Sequence, residues 1–293
     1  MHFRFVLLIG FLTAGALACN SDSMDGPTGP GPLPQPNSTI IYTAIGASDA
    51  IGFGSSVFCI PFTECPDGRG YIQVATRDLR ARGFIVNQSN LGIPAAVISR
   101  RVQDLGARYG HSTGGNFLEQ EAPFVSVRGI PTLVTIFAGA NDVNAITAAL
   151  GGGAGGADQT AFINNQIQAF GQDFATLLRM IRDQAPSARI VVLNLPNMAG
   201  MPFLANAPVQ HRRASQMLSV GITTTVLNPN TSSGALVIDL MCDARSYQAS
   251  TYSSDGLHPN DIGYAWIAAE VVAAATTAYR APPSSCSQMT LVQ

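Results

Sequence analysis

The sequence predicts a three-layer α/β sandwich with a central parallel five-stranded sheet. Five short runs rich in β-branched and apolar residues are separated by stretches with the 3.6-residue apolar spacing of helices. The run at residues 132–137 is apolar on both faces, as in a strand that is covered on both sides. Hydrophobic residues make up 46% of the 293 residues, which is enough to form one large core.

The strands are predicted at residues 40–45, 84–87, 132–137, 189–193 and 235–239. The helices are predicted at residues 70–82, 95–108, 160–185, 209–226 and 261–279. Because strands and helices alternate over about 240 residues, the strands are expected to run parallel. In such sheets, ligands bind at the carboxyl ends of the strands, so the polar residues there are the candidates for function.

Composition excludes several functions. Charged residues make up only 12% of the chain, the net charge is −2, and all sixteen basic residues are arginine. Without lysine there can be no P-loop, no pyridoxal Schiff base and no Ser–Lys dyad. A nucleic-acid-binding protein normally has a basic patch, and this sequence contains none. Since neither a dinucleotide fingerprint nor a cluster of metal ligands is evident, we expect no cofactor and no metal.

The N-terminus predicts an exported protein. Arg4, an apolar run at residues 5–12 and small residues up to Ala18 are typical of a signal peptide at residues 1–18. Cleavage after Ala18 by the ordinary peptidase gives a secreted protein, whereas acylation of Cys19 gives a cell-envelope lipoprotein. Residues 19–38, rich in Pro and Gly, are predicted to form a tether before a folded domain at residues 39–280 and a tail at 281–293.

Four cysteines remain after Cys19, and an even number in an exported protein favours disulfides. A bond between Cys59 and Cys65 would close a small loop, and one between Cys242 and Cys286 would hold the C-terminal tail. Four free thiols are the alternative. Zinc ligation is disfavoured because no paired C-x-x-C spacing occurs.

Four polar motifs follow the predicted strands. They are Gly46-Ala47-Ser48-Asp49, Asn90-Leu91-Gly92, Gly139-Ala140-Asn141-Asp142 and, before the last helix, Asp255-Gly256-Leu257-His258-Pro259-Asn260. A serine needs a base to become a nucleophile, and histidine needs a carboxylate to orient it. Ser48, His258 and Asp255 can fill these three roles. The backbone N–H groups of Ser48 and Gly92 and the amide of Asn141 are candidate donors to an oxyanion.

Each of these residues also has a simpler interpretation. Ser48 alone could cap a helix, and Asn141 could be a turn residue, while for Asp142 we predict helix capping rather than catalysis. Trp266 is interpreted as packing within the last helix. Six apolar residues near the strand ends form a candidate acyl pocket, although apolar side chains in such places more often belong to the core. They are Phe53, Ile93, Pro94, Met198, Met201 and Phe203.

The four motifs, in this order, resemble those of the SGNH hydrolases, also called GDSL esterases and lipases, over residues 40–279. The resemblance implies a flavodoxin-like fold, with Ser48 as nucleophile, Gly92 and Asn141 as oxyanion residues, and Asp255 and His258 as acid and base. The sequence departs from the usual Gly-Asp-Ser-Leu motif, because Ala47 precedes the serine and an acidic residue follows it. No Gly-x-Ser-x-Gly elbow is present, which argues against the α/β-hydrolase arrangement.

The sequence therefore predicts an exported serine esterase or lipase that hydrolyses small-molecule or lipid esters through an acyl-enzyme on Ser48. Lysophospholipase, thioesterase and carbohydrate deacetylase activities are alternatives within the same chemistry. A catalytically inactive cell-surface binding module is the alternative from another class. We expect the membrane to be contacted only through a lipid on Cys19.

Overall fold

The computed structural model describes residues 30–61, 63, 65–277 and 281–292. The signal peptide, Cys19 and the first part of the tether lie outside the described residues. The strands are β1 (Thr39–Gly46), β2 (Ile85–Asn90), β3 (Leu133–Phe137), β4 (Arg189–Leu193) and β5 (Leu236–Ile238). All five pair in parallel in the order β2-β1-β3-β4-β5, which confirms the predicted α/β class and its central sheet.

The helices connect these strands and cover the sheet. They are α1 (Tyr71–Ala81), α2 (Arg100–Arg108), α3 (Phe117–Gln120), α4 (Ala140–Gly151), α5 (Gln159–Gln184), α6 (Val209–Ile222) and α7 (Asp261–Thr276). One group consists of α1 packed against α7, and a second group is formed by α2, α4, α5 and α6, in which α4 contacts the other three helices. Every side chain of β3 and β4 is buried, as expected for central strands of a parallel sheet.

Several helix bounds differ from the prediction. Residues 95–99 were predicted as the start of a helix, but α2 begins only at Arg100. Ala95 has a φ of 56°, a left-handed conformation that a helix does not accommodate. The sequence prediction also missed α4, whose apolar positions Val143, Ile146 and Leu150 have helical spacing. This helix matters because it begins at the motif that contains Asn141.

Residues before the predicted domain start at residue 39 also contact the domain. The carbonyl of Gly31 accepts a hydrogen bond of 2.9 Å from the guanidinium of Arg189, whose Nε donates to the carbonyl of Ala274 at 2.6 Å. Arg189 is only 6% exposed, so these carbonyls satisfy a buried cation. Residues from Gly31 onward therefore contact the amino-terminal end of β4.

Both predicted disulfides are present. Cys59 is bonded to Cys65, and Cys242 is bonded to Cys286. The second bond fixes the C-terminal tail, whose Met289 is buried. Among the described residues, no helix has both the length and the apolar character needed to cross a membrane. Disulfides of this kind are typical of proteins that fold in an oxidising compartment.

Candidate active site

Strand order places the candidate residues at one point of the sheet. The chain leaves β1 toward β2 on one side, and β3 pairs with the other side of β1. The crevice at such a reversal, at the carboxyl ends of the strands, is the usual ligand site of a doubly wound sheet. Ser48 follows β1 at this crevice, and Asn141 follows β3 in the first turn of α4.

Ser48 lies in a tight turn rather than at the start of a helix. The N–H of Ala50 donates to the carbonyl of Ala47 at 3.1 Å, and the N–H of Phe53 donates to the carbonyl of Ser48 at 3.0 Å. The next helix, α1, begins only at Tyr71, so Ser48 does not cap it. The side chain is 8% exposed, which leaves its hydroxyl at the base of a cleft.

His258 lies within hydrogen-bond distance of both Ser48 and Asp255. The Nε2 atom of His258 is 2.8 Å from the Oγ of Ser48, and its Nδ1 is 2.7 Å from Oδ2 of Asp255. With the ring proton on Nδ1, Nδ1–H donates to Asp255 and Nε2 accepts from the Ser48 hydroxyl. This is the hydrogen-bond order that general-base activation of a serine requires.

The turn between Asp255 and His258 keeps the carboxylate charged. Partial burial opposes ionisation, but hydrogen bonds from the ring and backbone of His258, from the backbone of Leu257 and from the hydroxyl of Ser253 lower the pKa of Asp255 to about 2. Gly256 makes the turn possible, because its φ of 69° is unfavourable for other residues. Asp255 is therefore an ionised partner for His258 at neutral pH.

Packing holds the ring of His258 in place. The ring of Phe53 meets it edge-on, with centroids 4.8 Å apart. Gly54 packs so closely that a Cβ there would lie 2.7 Å from the Cβ of His258. The hydroxyl of Tyr264 donates to the carbonyl of Phe53 at 2.7 Å and so fixes this segment. Phe53 thus contacts the histidine from the edge of the site.

The three candidate oxyanion donors differ in their partners. Within the described residues, the N–H of Ser48 makes no hydrogen bond. Asn141 donates one amide hydrogen to the carbonyl of Ala96 at 3.0 Å, which leaves its second hydrogen available. The N–H of Gly92 donates to Oδ1 of Asn90 at 3.0 Å. Gly92 is therefore engaged by a side chain in this structure.

Asp142 does not cap α4, contrary to the prediction. It lies inside the first turn, and its carboxylate accepts from the N–H of Ile98 at 3.0 Å. Burial raises the pKa of Asp142 to about 7, although the bond from Ile98 and the charge of Arg101 oppose this shift. The residue ties α4, and with it Asn141, to the segment that follows β2.

Two further buried carboxyl groups were not identified from the sequence. Oε2 of Glu121 accepts from the N–H of Gly46 at 2.9 Å, and burial raises the pKa of Glu121 well above its usual range. The side chain of Asp49 lines the cleft, and burial also raises its pKa, whereas the charge of His258 opposes the shift. Local sequence patterns predict neither the hydrogen bond between Gly46 and Glu121, which are distant in the chain, nor the position of Asp49 in the cleft.

A cleft beside Ser48 is lined mainly by apolar side chains. Of the candidate acyl-pocket residues, Met198 and Met201 line it. Phe53 contacts His258 instead, and Ile93, Pro94 and Phe203 are not among the residues that line the cleft. Its other apolar walls come from residues that were not predicted. They are Phe137, Ala140, Leu195, Pro196, Leu240, Leu257, Trp266 and Ile267.

Trp266 packs against the hydrophobic core, as predicted, and it also lines the cleft that contains Ser48. Its position on α7 gave no indication of this contact. Among the described residues, no group of three His, Cys, Asp or Glu side chains is arranged to hold a metal ion.

The model of the GDSL-like lipase/acylhydrolase family matches residues 44–266, which is most of the chain and includes every candidate catalytic residue. This chain belongs to the GDSL-like lipase/acylhydrolase family. The resemblance inferred from the four motifs is thereby confirmed. No curated protein gives a match to the sequence of this family member.

Solved structures give matches to this GDSL-like protein at low sequence identity. A lipase, Lip_vut3, from a goat rumen metagenome is 16% identical, with a TM-score of 0.52 and coverage of 81% of this chain and 98% of the lipase. A family 3 carbohydrate esterase from Clostridium thermocellum is 16% identical, with a TM-score of 0.45 and coverage of 80% and 94%. A variant of an acetyl xylan esterase from Geobacillus stearothermophilus is 17% identical, with a TM-score of 0.47 and coverage of 83% and 97%.

Proposed function

We propose that this protein is an exported serine esterase or lipase that hydrolyses carboxylic esters through an acyl-enzyme on Ser48. The observation that carries the proposal is the unbroken hydrogen-bond line from Asp255 through His258 to the Ser48 hydroxyl, with distances of 2.7 and 2.8 Å. Membership of the GDSL-like lipase/acylhydrolase family supports the same reaction class.

In the first half of the reaction, Ser48 Oγ attacks the ester carbonyl carbon while its proton passes to Nε2 of His258. The carbonyl π electrons move to the oxygen, which becomes the oxyanion. Asp255 remains ionised and stabilises the imidazolium that forms. The N–H of Ser48 and the second amide hydrogen of Asn141 are available to receive the oxyanion.

Collapse of this intermediate breaks the bond to the alcohol oxygen, which takes the proton from Nε2. In the second half, water gives a proton to Nε2 and attacks the acyl carbon, and Ser48 recovers its proton when the acid leaves. Both halves use the same three side chains, and the proposal needs no cofactor.

Export is part of this proposal. The two disulfides support folding in an oxidising compartment, and the sequence of residues 1–19 supports a signal that ends either in secretion or in a lipid on Cys19. Lysophospholipase, thioesterase and carbohydrate deacetylase activities use the same line of residues and differ only in the substrate that fits the cleft.

The proposal is tested by incubating the purified, disulfide-intact domain with a fluorophosphonate and measuring the intact mass and the modified peptide. We expect one adduct on Ser48, none on Ser48→Ala, and loss of p-nitrophenyl ester hydrolysis in Ser48→Ala and His258→Ala. Circular dichroism should show that both variants stay folded. A folded wild type that neither reacts nor hydrolyses any ester would instead indicate the inactive binding module.

A further inference from the structure

The inner part of the cleft, beyond the candidate catalytic serine, is lined mainly by apolar side chains. Its floor consists of residues at or just after the ends of three strands, namely Phe137, Leu195 and Leu240. The segment at residues 244–252 lies along it and is held by internal bonds. The hydroxyl of Tyr252 donates to the carbonyl of Ser246 at 2.6 Å, and that of Thr251 donates to backbone carbonyls.

Helix α7 forms one side of the cleft. The helix begins at Asp261, directly after the turn that contains His258. Trp266 lies five residues further on, which is roughly 7–8 Å along the helix axis at 1.5 Å per residue. Trp266 and its neighbour Ile267 both line the cleft. They therefore line the cleft farther along α7 than the turn that contains His258.

The indole of Trp266 is fixed from behind. The guanidinium of Arg245 lies 4.4 Å from the ring centroid, in the geometry of a cation–π contact. Arg245 is itself held by ion pairs with Asp243 and with Glu270, the second at 2.8 Å. The indole nitrogen is inaccessible to solvent and has no hydrogen-bond partner within the described residues. These contacts hold the ring against the cleft.

We propose that this inner cleft receives the acyl group of the ester, and that Trp266 sets the longest acyl chain that the enzyme accepts. The inference rests on the proposed function. An apolar cleft beside Ser48 suits the part of the substrate that stays on Ser48 between the two halves of the reaction. The alcohol must leave, and water must enter, before the acyl group departs, so both need the open mouth.

The lining supports a hydrocarbon chain as the occupant. Leu195, Leu240 and Ile267 offer no hydrogen-bonding side-chain atoms, and the hydroxyl of Thr251 is already used as a donor. Each methylene that becomes buried contributes about 0.8 kcal/mol, or about fourfold in kcat/KM. Activity should therefore rise with each added carbon until the chain meets Trp266, and then fall.

The test compares two ester series on the full domain. One series varies the acyl group in p-nitrophenyl esters from acetate to dodecanoate, and the other varies the alcohol in acetate esters from ethyl to octyl. For Trp266→Leu we expect the fall in kcat/KM to move to acyl chains at least two carbons longer. We compare kcat/KM for the shortest acyl chain that wild type excludes with kcat/KM for acetate. In Trp266→Leu this ratio should be about tenfold or more above its wild-type value. The alcohol series should be unchanged.

Three further variants distinguish an effect of the Trp266 ring on acyl-chain length from a general loss of stability. Trp266→Phe keeps an aromatic wall and should retain the wild-type chain-length profile. Phe174→Leu changes a buried aromatic residue of α5 that does not line the cleft, and it should lower stability without moving the profile. Ile267→Ala enlarges the part of the cleft beside Trp266 and serves as a second test if Trp266→Leu does not fold.

The outcomes are distinct. An unchanged acyl profile in folded Trp266→Leu and Ile267→Ala would overturn the inference while leaving the esterase proposal intact. A shift in the alcohol series alone would place the alcohol in the inner cleft and would also overturn it. A wild-type enzyme that hydrolyses no member of either series would remove the esterase proposal, and the acyl pocket with it.

Discussion

The backbone N–H of Gly92 donates to the side-chain oxygen of Asn90 at 3.0 Å, and the amide of Asn90 donates to the carbonyl of Ala50 at 2.8 Å. One buried side chain thus joins the segment after β2 to the turn that carries Ser48. The N–H of Gly92 can donate to an oxyanion only if its hydrogen bond to Asn90 Oδ1 is broken or shared. Asn90 therefore positions two parts of the proposed oxyanion site relative to each other.

Replacing Asn90 by alanine should lower both stability and turnover. The change leaves a buried carbonyl and a buried N–H without their partner, which costs about 2 kcal/mol of the free energy of unfolding. Loss of the connection should lower kcat by about 10- to 100-fold, because reacting groups become misplaced. Urea denaturation and initial rates with a short p-nitrophenyl ester measure the two effects. A rise in kcat would mean that Asn90 withholds Gly92 from the oxyanion.

Asp255→Asn should lower kcat by about 10²- to 10⁴-fold, because an amide neither stabilises the imidazolium nor fixes its tautomer. Some activity above that of Ser48→Ala should remain. Since the pKa of Asp255 is lowered to about 2 from an ordinary 3.8, its charge stabilises the folded state above pH 4. That contribution is lost as the pH falls from about 4 to 2.

Thermal unfolding of wild type and Asp255→Asn across that interval checks this sign, since only wild type should lose the contribution. Equal melting curves for the two proteins at every pH would contradict the charged state assigned to Asp255.

Asp142→Asn should flatten the dependence of stability on pH between about 4 and 7. Folded Asp142 holds its proton up to about pH 7, whereas the unfolded chain releases it near 3.8. The unfolded state thus binds fewer protons in this interval, and wild-type stability falls as the pH rises. Asparagine has no such proton, yet its amide oxygen can still accept from Ile98. Denaturation at pH 4, 5.5 and 7 gives the difference between wild type and variant.

The exposed Asp104 provides a matched control for that comparison. Asp104→Asn should leave the wild-type slope between pH 4 and 7 in place. If Asp142→Asn and wild type keep parallel curves, the buried carboxyl of Asp142 is not the group that titrates.

Removing the two disulfides should have unequal costs. Cys242 and Cys286 are separated by 44 residues, and Cys59 and Cys65 by 6, so loop-closure entropy gives about 4 and about 2 kcal/mol respectively. The paired Cys242→Ser and Cys286→Ser variant should therefore unfold at lower urea concentration than the paired Cys59→Ser and Cys65→Ser variant. The reverse order would show that contacts of the 59–65 loop, and not chain entropy, dominate.

The sheet and the candidate catalytic residues could be predicted from local patterns. Strand β4 was predicted with its observed bounds, and helix α5 within one residue at each end, because apolar spacing is a local signal. Ser48, Asp255 and His258 were identified because their chemistry is specific and their motifs follow the strands in a recognisable order. Gly92 was identified by the same argument, but its engagement by Asn90 was not.

Other parts of the site depend on contacts that no local pattern encodes. Asp142 meets Ile98 across 44 residues, so its position beside Asn141 suggested a cap instead. Trp266 has the spacing of a core residue on α7, and only the approach of Arg245 and the strand ends makes it a wall of the cleft. Glu121 lies after a four-residue helix, where sequence gives no indication of the strand end it reaches.

The bond between Ser48 and His258 joins positions 210 residues apart in the chain. Ser48 follows the first strand and His258 precedes the last long helix, so the hydroxyl meets its base only after nearly the whole domain has been made and folded. A chain that stops at the end of β5, at Ile238, contains all five strands and still lacks the base. Ester hydrolysis that depends on this bond can therefore return during refolding only after the two ends of the domain have come together.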